Sequence, residues 1–204
     1  MPMTRVDTIK SVVFATGNHG KAKTLERYLK HHNIMVRVVP RSLDIIEPQA
    51  DTAEEIALMK GRQAYQQVHG PVLVDDSSFH IDALGGFPGP YIKYMLTTIG
   101  IDGIMAFMEG QTNRKAHFLS CLVYIDEKGN EHIFTDEPFR GSIAERADTY
   151  VHPEEWSPLW RIFIPEGLDK TLSQLSASER MLTSVKREEN DAYAKFCGWL
   201  KSSQ

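Results

Sequence analysis

The chain has 204 residues, enough for a sizeable hydrophobic core in one large domain or two small ones. With 42% hydrophobic and 25% charged residues it has the makeup of a folded, soluble protein, which excludes a disordered chain. A net charge of -4, with no Lys/Arg run longer than two residues, excludes the basic track that polymeric DNA or RNA needs.

Met1 to Lys10 alternates polar and apolar residues without the apolar centre of a targeting segment, and nowhere do eighteen apolar residues run together. The expectation is a cytoplasmic protein with no membrane partner. The two cysteines, Cys121 and Cys197, lack metal-knuckle or disulfide spacing and read as core thiols in a reducing compartment.

Ser11 to Ala15 is a β-rich run that stops at Thr16-Gly17-Asn18-His19-Gly20-Lys21. A helix follows, with Leu25, Tyr28 and Leu29 on its core face. Ile34 to Val39 predicts a second strand ended by Pro40. Thr52-Ala53-Glu54-Glu55 resembles a capping box that opens a helix running to about Val68.

Pro71 to Val74 reads as a buried strand delivering Asp75-Asp76-Ser77-Ser78 at its C-terminal end. Two helical stripes follow the Gly- and Pro-rich turn at 84–90. Ala116 to Ile125 and Glu131 to Thr135 flank a plausible hairpin turn. Residues 136–170 read as irregular, and Tyr193, Phe196, Cys197 and Leu200 mark a last helix. With no repeat or linker, the expectation is one α/β domain over residues 1–204 with a mixed sheet, the hairpin around 116–135 being a candidate lobe.

A strand ending in Thr-Gly-Asn-x-Gly-Lys before a helix suits anion binding, because backbone amides and the helix N-terminus attract phosphate while Lys21 adds a full charge. A polar strand-to-helix turn with a surface lysine is the alternative. Asp75 and Asp76 suit Mg²⁺, which takes one or two carboxylates plus waters and phosphate oxygens. Adjacent strand residues point opposite ways, so one direct ligand is expected unless the backbone turns there; a cap or turn is the alternative. Glu47, between Ile46 and Pro48, is equally open, and no G-x-S-x-G elbow supports acyl transfer. The residues by themselves lead to a phosphorylated ligand with Mg²⁺ as an option.

Three blocks in order, 13–21, 74–77 and 82–93, closely resemble the inosine triphosphate pyrophosphatase family. That resemblance implies an elongated mixed central β-sheet flanked by helices, a homodimer, and Mg²⁺-dependent cleavage of inosine, xanthosine and deoxyinosine triphosphates to monophosphate and pyrophosphate. Carried onto this chain, it implies that Thr16, Asn18, Lys21, Lys60 and Lys93 hold the triphosphate, with Gly17 and Ser77 as further expected substrate contacts. Asp76 matches the catalytic carboxylate, and Glu47, Asp75 and Asp76 match the acids at the metal.

The last third departs from that pattern. Where the family has Phe-Gly-Tyr/Trp-Asp-Pro, this chain has Glu154-Glu155-Trp156-Ser157-Pro158. Where the family has Ser-His-Arg, this chain has Ser184-Val185-Lys186-Arg187, and an upstream lysine becomes Arg180. Trp156, Arg180 and Lys186 are the expected base-side contacts. Since unpaired buried polar groups penalise a mismatched base, these changes imply altered or relaxed base preference with phosphate chemistry kept. An unaltered house-cleaning pyrophosphatase and a nucleotide-binding regulatory protein without turnover are the alternatives.

Overall fold

In the computed structural model, residues 9–185 and 190–203 are described. Along the chain run β1 (Ser11–Ala15), α1 (His19–His31), β2 (Arg37–Arg41), α2 (Ala53–Val68), β3 (Val72–Ile81) and β4 (Pro88–Gly89). Then come α3 (Ile92–Thr98), α4 (Gly100–Phe107), β5 (Lys115–Ile125), β6 (Glu131–Thr135), β7 (Phe139–Ile143), β8 (Phe163–Pro165), α5 (Ala177–Val185) and α6 (Ala192–Ser202). One mixed sheet has the order β2-β1-β3-β5-β7-β8, with β4 beside β3 and β6 beside β5. The pairs β1/β2 and β1/β3 are parallel, and the other pairs are antiparallel. The expected mixed α/β class is therefore observed, and both hairpin strands belong to this common sheet.

Side chains cap the starts of α1, α2 and α6. Asn18 caps α1, accepting from the amides of Gly20 and Lys21. Thr52 and Glu55 form the anticipated capping box of α2. In α6, Phe196, Cys197 and Leu200 are fully buried, and burying each large apolar side chain contributes roughly 1.5–3 kcal/mol. Among the described residues no helix is long and apolar enough to cross a membrane.

Three expectations need correction. β2 continues through Pro40 to Arg41. It is an edge strand, where a residue without an N–H is tolerated. β3 does not stop before Asp75 but runs ten residues to Ile81, paired throughout with β5. Residues 136–170 are not wholly irregular, because β7 and β8 extend the sheet there.

The length of β3 organises the core. On one face Leu73 joins a cluster under α1 and α6, while Phe79 and Ile81 join a second cluster under α3 and α4. Asp75 and Ser77, of the same strand parity, lie between those apolar blocks. On the opposite face Val72 and Val74 pack under α2, followed by Asp76, Ser78 and His80.

Candidate functional site

β1 pairs with β3 only as far as Phe14 opposite Leu73. Beyond that point the chain leaves β1 through Thr16-Gly17-Asn18. On that edge of β3 the next strand is β4, opposite Phe79 and His80, so among the described residues the edge between Leu73 and Phe79 has no strand beside it. Asp75 and Asp76 lie beside this opening.

The phosphate-type loop is internally bonded. Asn18 N donates to Thr16 Oγ1 at 3.0 Å, and Asn18 Oδ1 accepts from Gly20 N at 2.9 Å and Lys21 N at 3.4 Å. Thr16 and Asn18 thus shape the loop and helix start, and an anion there competes with the Asn18 cap for two amides. At Gly17 an added Cβ would sit an ordinary 3.8 Å from Ser42 Oγ, so packing does not require glycine.

Alternation along β3 sends the two aspartates to different partners. Asp75 Oδ1 accepts from Lys21 Nζ at 3.1 Å and Ser77 Oγ at 3.2 Å, while Asp75 Oδ2 accepts from the Tyr193 hydroxyl. Lys21 Nζ also donates to Ser77 Oγ at 3.3 Å and to the Asp75 carbonyl at 3.4 Å. These contacts match the three donors of an ammonium, so a phosphate must displace one of them.

Asp76 faces the α2 side. Lys60 Nζ donates to Asp76 Oδ1 at 2.8 Å and lies 3.8 Å from Glu47 Oε1, and Lys93 Nζ donates to Glu47 Oε2. Burial pushes the Asp76 carboxyl above its ordinary range, outweighing the pull of Lys60 and Lys21. Burial also opposes the charge of Lys60, yet Asp76 and Glu47 hold its ammonium above the ordinary lysine value. For Glu47, burial is outweighed by Lys93 and Lys60, and its carboxyl is lowered.

The three acids expected at the metal thus fall into two groups by partner, Asp76 with Glu47 around Lys60 and Asp75 with Lys21 and Tyr193. Among the described residues no group of three His, Cys, Asp or Glu side chains is arranged to hold a metal. Mg²⁺ needs only one or two carboxylates with waters and phosphate oxygens. Glu47 and Asp76, drawn to the same ammonium, have that hard-oxygen character. Asp75 meets Lys21, Ser77 and Tyr193 from the other face of the strand.

At the expected base side, Trp156 is 41% exposed and its ring lies 6.1 Å from that of Phe118. A Cβ on Gly20 would stand only 2.8 Å from Trp156 Cβ, so the Trp156 segment rests on the start of α1. Arg180 donates to the Leu175 carbonyl and to Glu154 Oε2, the latter at 3.1 Å, and lies over the Trp160 ring at 5.8 Å. Glu155 instead turns inward toward Arg161 at 3.4 Å, with its side chain 8% exposed. Ser157 caps the short turn at 158–161 through Leu159 N. Lys186 and Arg187 lie outside the described residues.

Two cavities of about 560 and 420 Å³ lie farther along this side, sharing Asp148 and Gln174 in their walls. Neither is lined by the carboxylates and lysines around β3. Tyr193 was visible in the sequence only as part of an apolar stripe. Its signal was the hydroxyl, which needs a partner once buried.

The Ham1 family model matches residues 12–197. A protein named dITP/XTP pyrophosphatase from Methanopyrus kandleri is 40% identical over 94% of this chain and 97% of its own length. One of the same name from Thermococcus kodakarensis is 35% identical over 94% and 98%. The solved structure of a HAM1 protein from Coxiella burnetii superposes with a TM-score of 0.78 at 21% identity, covering 95% of this chain and all of that one. That likeness supports the fold.

Proposed function

Because the chain belongs to the Ham1 family, we propose that it is a hydrolase that cleaves nucleoside triphosphates to monophosphate and pyrophosphate with Mg²⁺. The observation that carries this reading is the convergence of Glu47 and Asp76 on Lys60 beside the loop after β1. Glu47 and Asp76 would hold Mg²⁺, which when bound withdraws charge from phosphate oxygens. Asp76 orients a water molecule and accepts its proton as the water oxygen bonds to the α-phosphorus. The bond to the bridging oxygen breaks, and its electron pair leaves with pyrophosphate. Lys21, Lys60 and Lys93 supply positive charge to the triphosphate.

Altered base preference belongs to the same proposal. Glu154 offers a carboxylate acceptor to an amino-bearing base, next to the Arg180 guanidinium and the exposed ring of Trp156. The names of the curated relatives favour a second reading, an unaltered preference for deoxyinosine and xanthosine triphosphates. A homodimer, implied by the family resemblance, and a cytoplasmic location complete the proposal.

Phosphorus NMR of the products from inosine triphosphate and Mg²⁺ tests the reaction. Inosine monophosphate and pyrophosphate are expected, with loss of turnover on adding a chelator. Diphosphate plus orthophosphate would contradict attack at the α-phosphorus. Nucleotide binding without product would favour a regulatory protein.

A further inference from the structure

We propose that Tyr193 is a positioning residue for triphosphate binding, acting through Asp75 to fix the ammonium of Lys21. This inference rests on the reading of Lys21 as a phosphate ligand. Asp75 has one oxygen for Lys21 and Ser77 and the other for the Tyr193 hydroxyl, and its side chain is only 2% exposed. The chain of contacts runs from α6 through β3 to the first turn of α1, joining residues 118 positions apart. Around it, the Tyr193 ring stacks on Tyr28 of α1 at 5.6 Å. Tyr28 lies seven residues after Lys21, two helical turns along the same face.

The start of α6 is itself tied down. Asp191 caps it, Asp136 accepts from Ala192 N, and Lys195 Nζ donates to the Thr135 carbonyl at 2.6 Å. The hydroxyl of Tyr193 is therefore held where Asp75 needs a donor. Burial pushes the phenol well above its ordinary value, so it stays protonated and donates. Without that donor, Asp75 Oδ2 would be buried and unpaired, the carboxylate would turn to recover a partner, and Lys21 would lose its fixed anchor. A Tyr–Asp link serving only to hold α6 to the sheet would stabilise the fold without acting on Lys21.

The test is a double-mutant cycle on inorganic tripolyphosphate binding, measured by titration calorimetry with the full chain. Tyr193→Phe keeps the ring and its stacking, and is expected to weaken binding about fivefold. Lys21→Ala should weaken it more, and Tyr193→Phe should add nothing in the Lys21→Ala background. With inosine triphosphate as substrate, the Tyr193→Phe loss should fall on KM. If Tyr193→Phe does not fold, Asp75→Asn takes its place in the same cycle, with the same dependence on Lys21 expected.

Equal losses with and without Lys21 would reduce Tyr193 to a structural role and overturn the proposal. Unchanged binding in Tyr193→Phe, beside weakened binding in Lys21→Ala, would overturn it while leaving the phosphate role of Lys21 intact. Unchanged binding in Lys21→Ala would remove that phosphate role, and the proposal with it.

Discussion

Asp76, Lys60 and Lys21 project from a ten-residue strand and from helices of 16 and 13 residues, whereas Glu154, Trp156 and Ser157 sit on a loop that leads into a short turn. At the first region, position is fixed by the ladder of β3 with β5 and by helices packed on each sheet face. At the second, it is fixed by local contacts: Ser157 on Leu159 N, Glu155 on Arg161, and Glu154 on Arg180. Charges on long elements are costly to move, because each is coupled to a packed core. Charges on a loop can be exchanged with little effect on the frame, so specificity can change there while phosphate chemistry remains.

The largest effect that would break this comparison is at the frame end. Asp76→Asn keeps the shape but removes the proton acceptor, and initial rates of pyrophosphate release should fall about a thousandfold while nucleotide still binds. An unchanged rate would remove Asp76 from the chemistry. The next effect lies where the two regions touch. Gly20→Val forces a side chain against Trp156 and should cost about 2 kcal/mol, read as a lowered unfolding midpoint in denaturant. An unshifted midpoint would show that the Trp156 segment yields freely.

At the loop end, Glu154→Ala should change the ratio of kcat/KM between adenosine and inosine triphosphates about tenfold. A constant ratio would exclude Glu154 from reading the base. The smallest effect concerns the frame again. Burial pushes the thiols of Cys121 and Cys197 up to about 12, so both stay protonated at pH 8. A disulfide-exchange reagent should find no reactive thiol in the folded protein and two after denaturation. Rapid reaction of the native protein would show that the frame opens readily.

Much of the frame end was legible because its signals are local. The apolar run of β1, the Thr52–Glu55 capping box and the α6 stripe each lie within a single strand, turn or helix of sequence. The extent of β3 was not legible, since Asp75-Asp76-Ser77-Ser78 interrupts its apolar run. Its continuation depends on distant partners: the β5 ladder, Lys21, Lys60 and Tyr193. Period-two alternation already implied that adjacent aspartates diverge, and the strand keeps that geometry where a turn was the other option. β7 and β8 escaped notice because five- and three-residue strands among prolines leave no periodic pattern to count.

The difference between the two regions is tested most directly by pyrophosphate release with Mg²⁺ across inosine, xanthosine, adenosine, guanosine, cytidine and uridine triphosphates and their deoxy forms. The predicted result is turnover in which at least one amino-bearing base matches or exceeds inosine and xanthosine in kcat/KM. Inosine and xanthosine nucleotides remaining best by a wide margin would contradict a base side rebuilt around Glu154, Trp156 and Arg180.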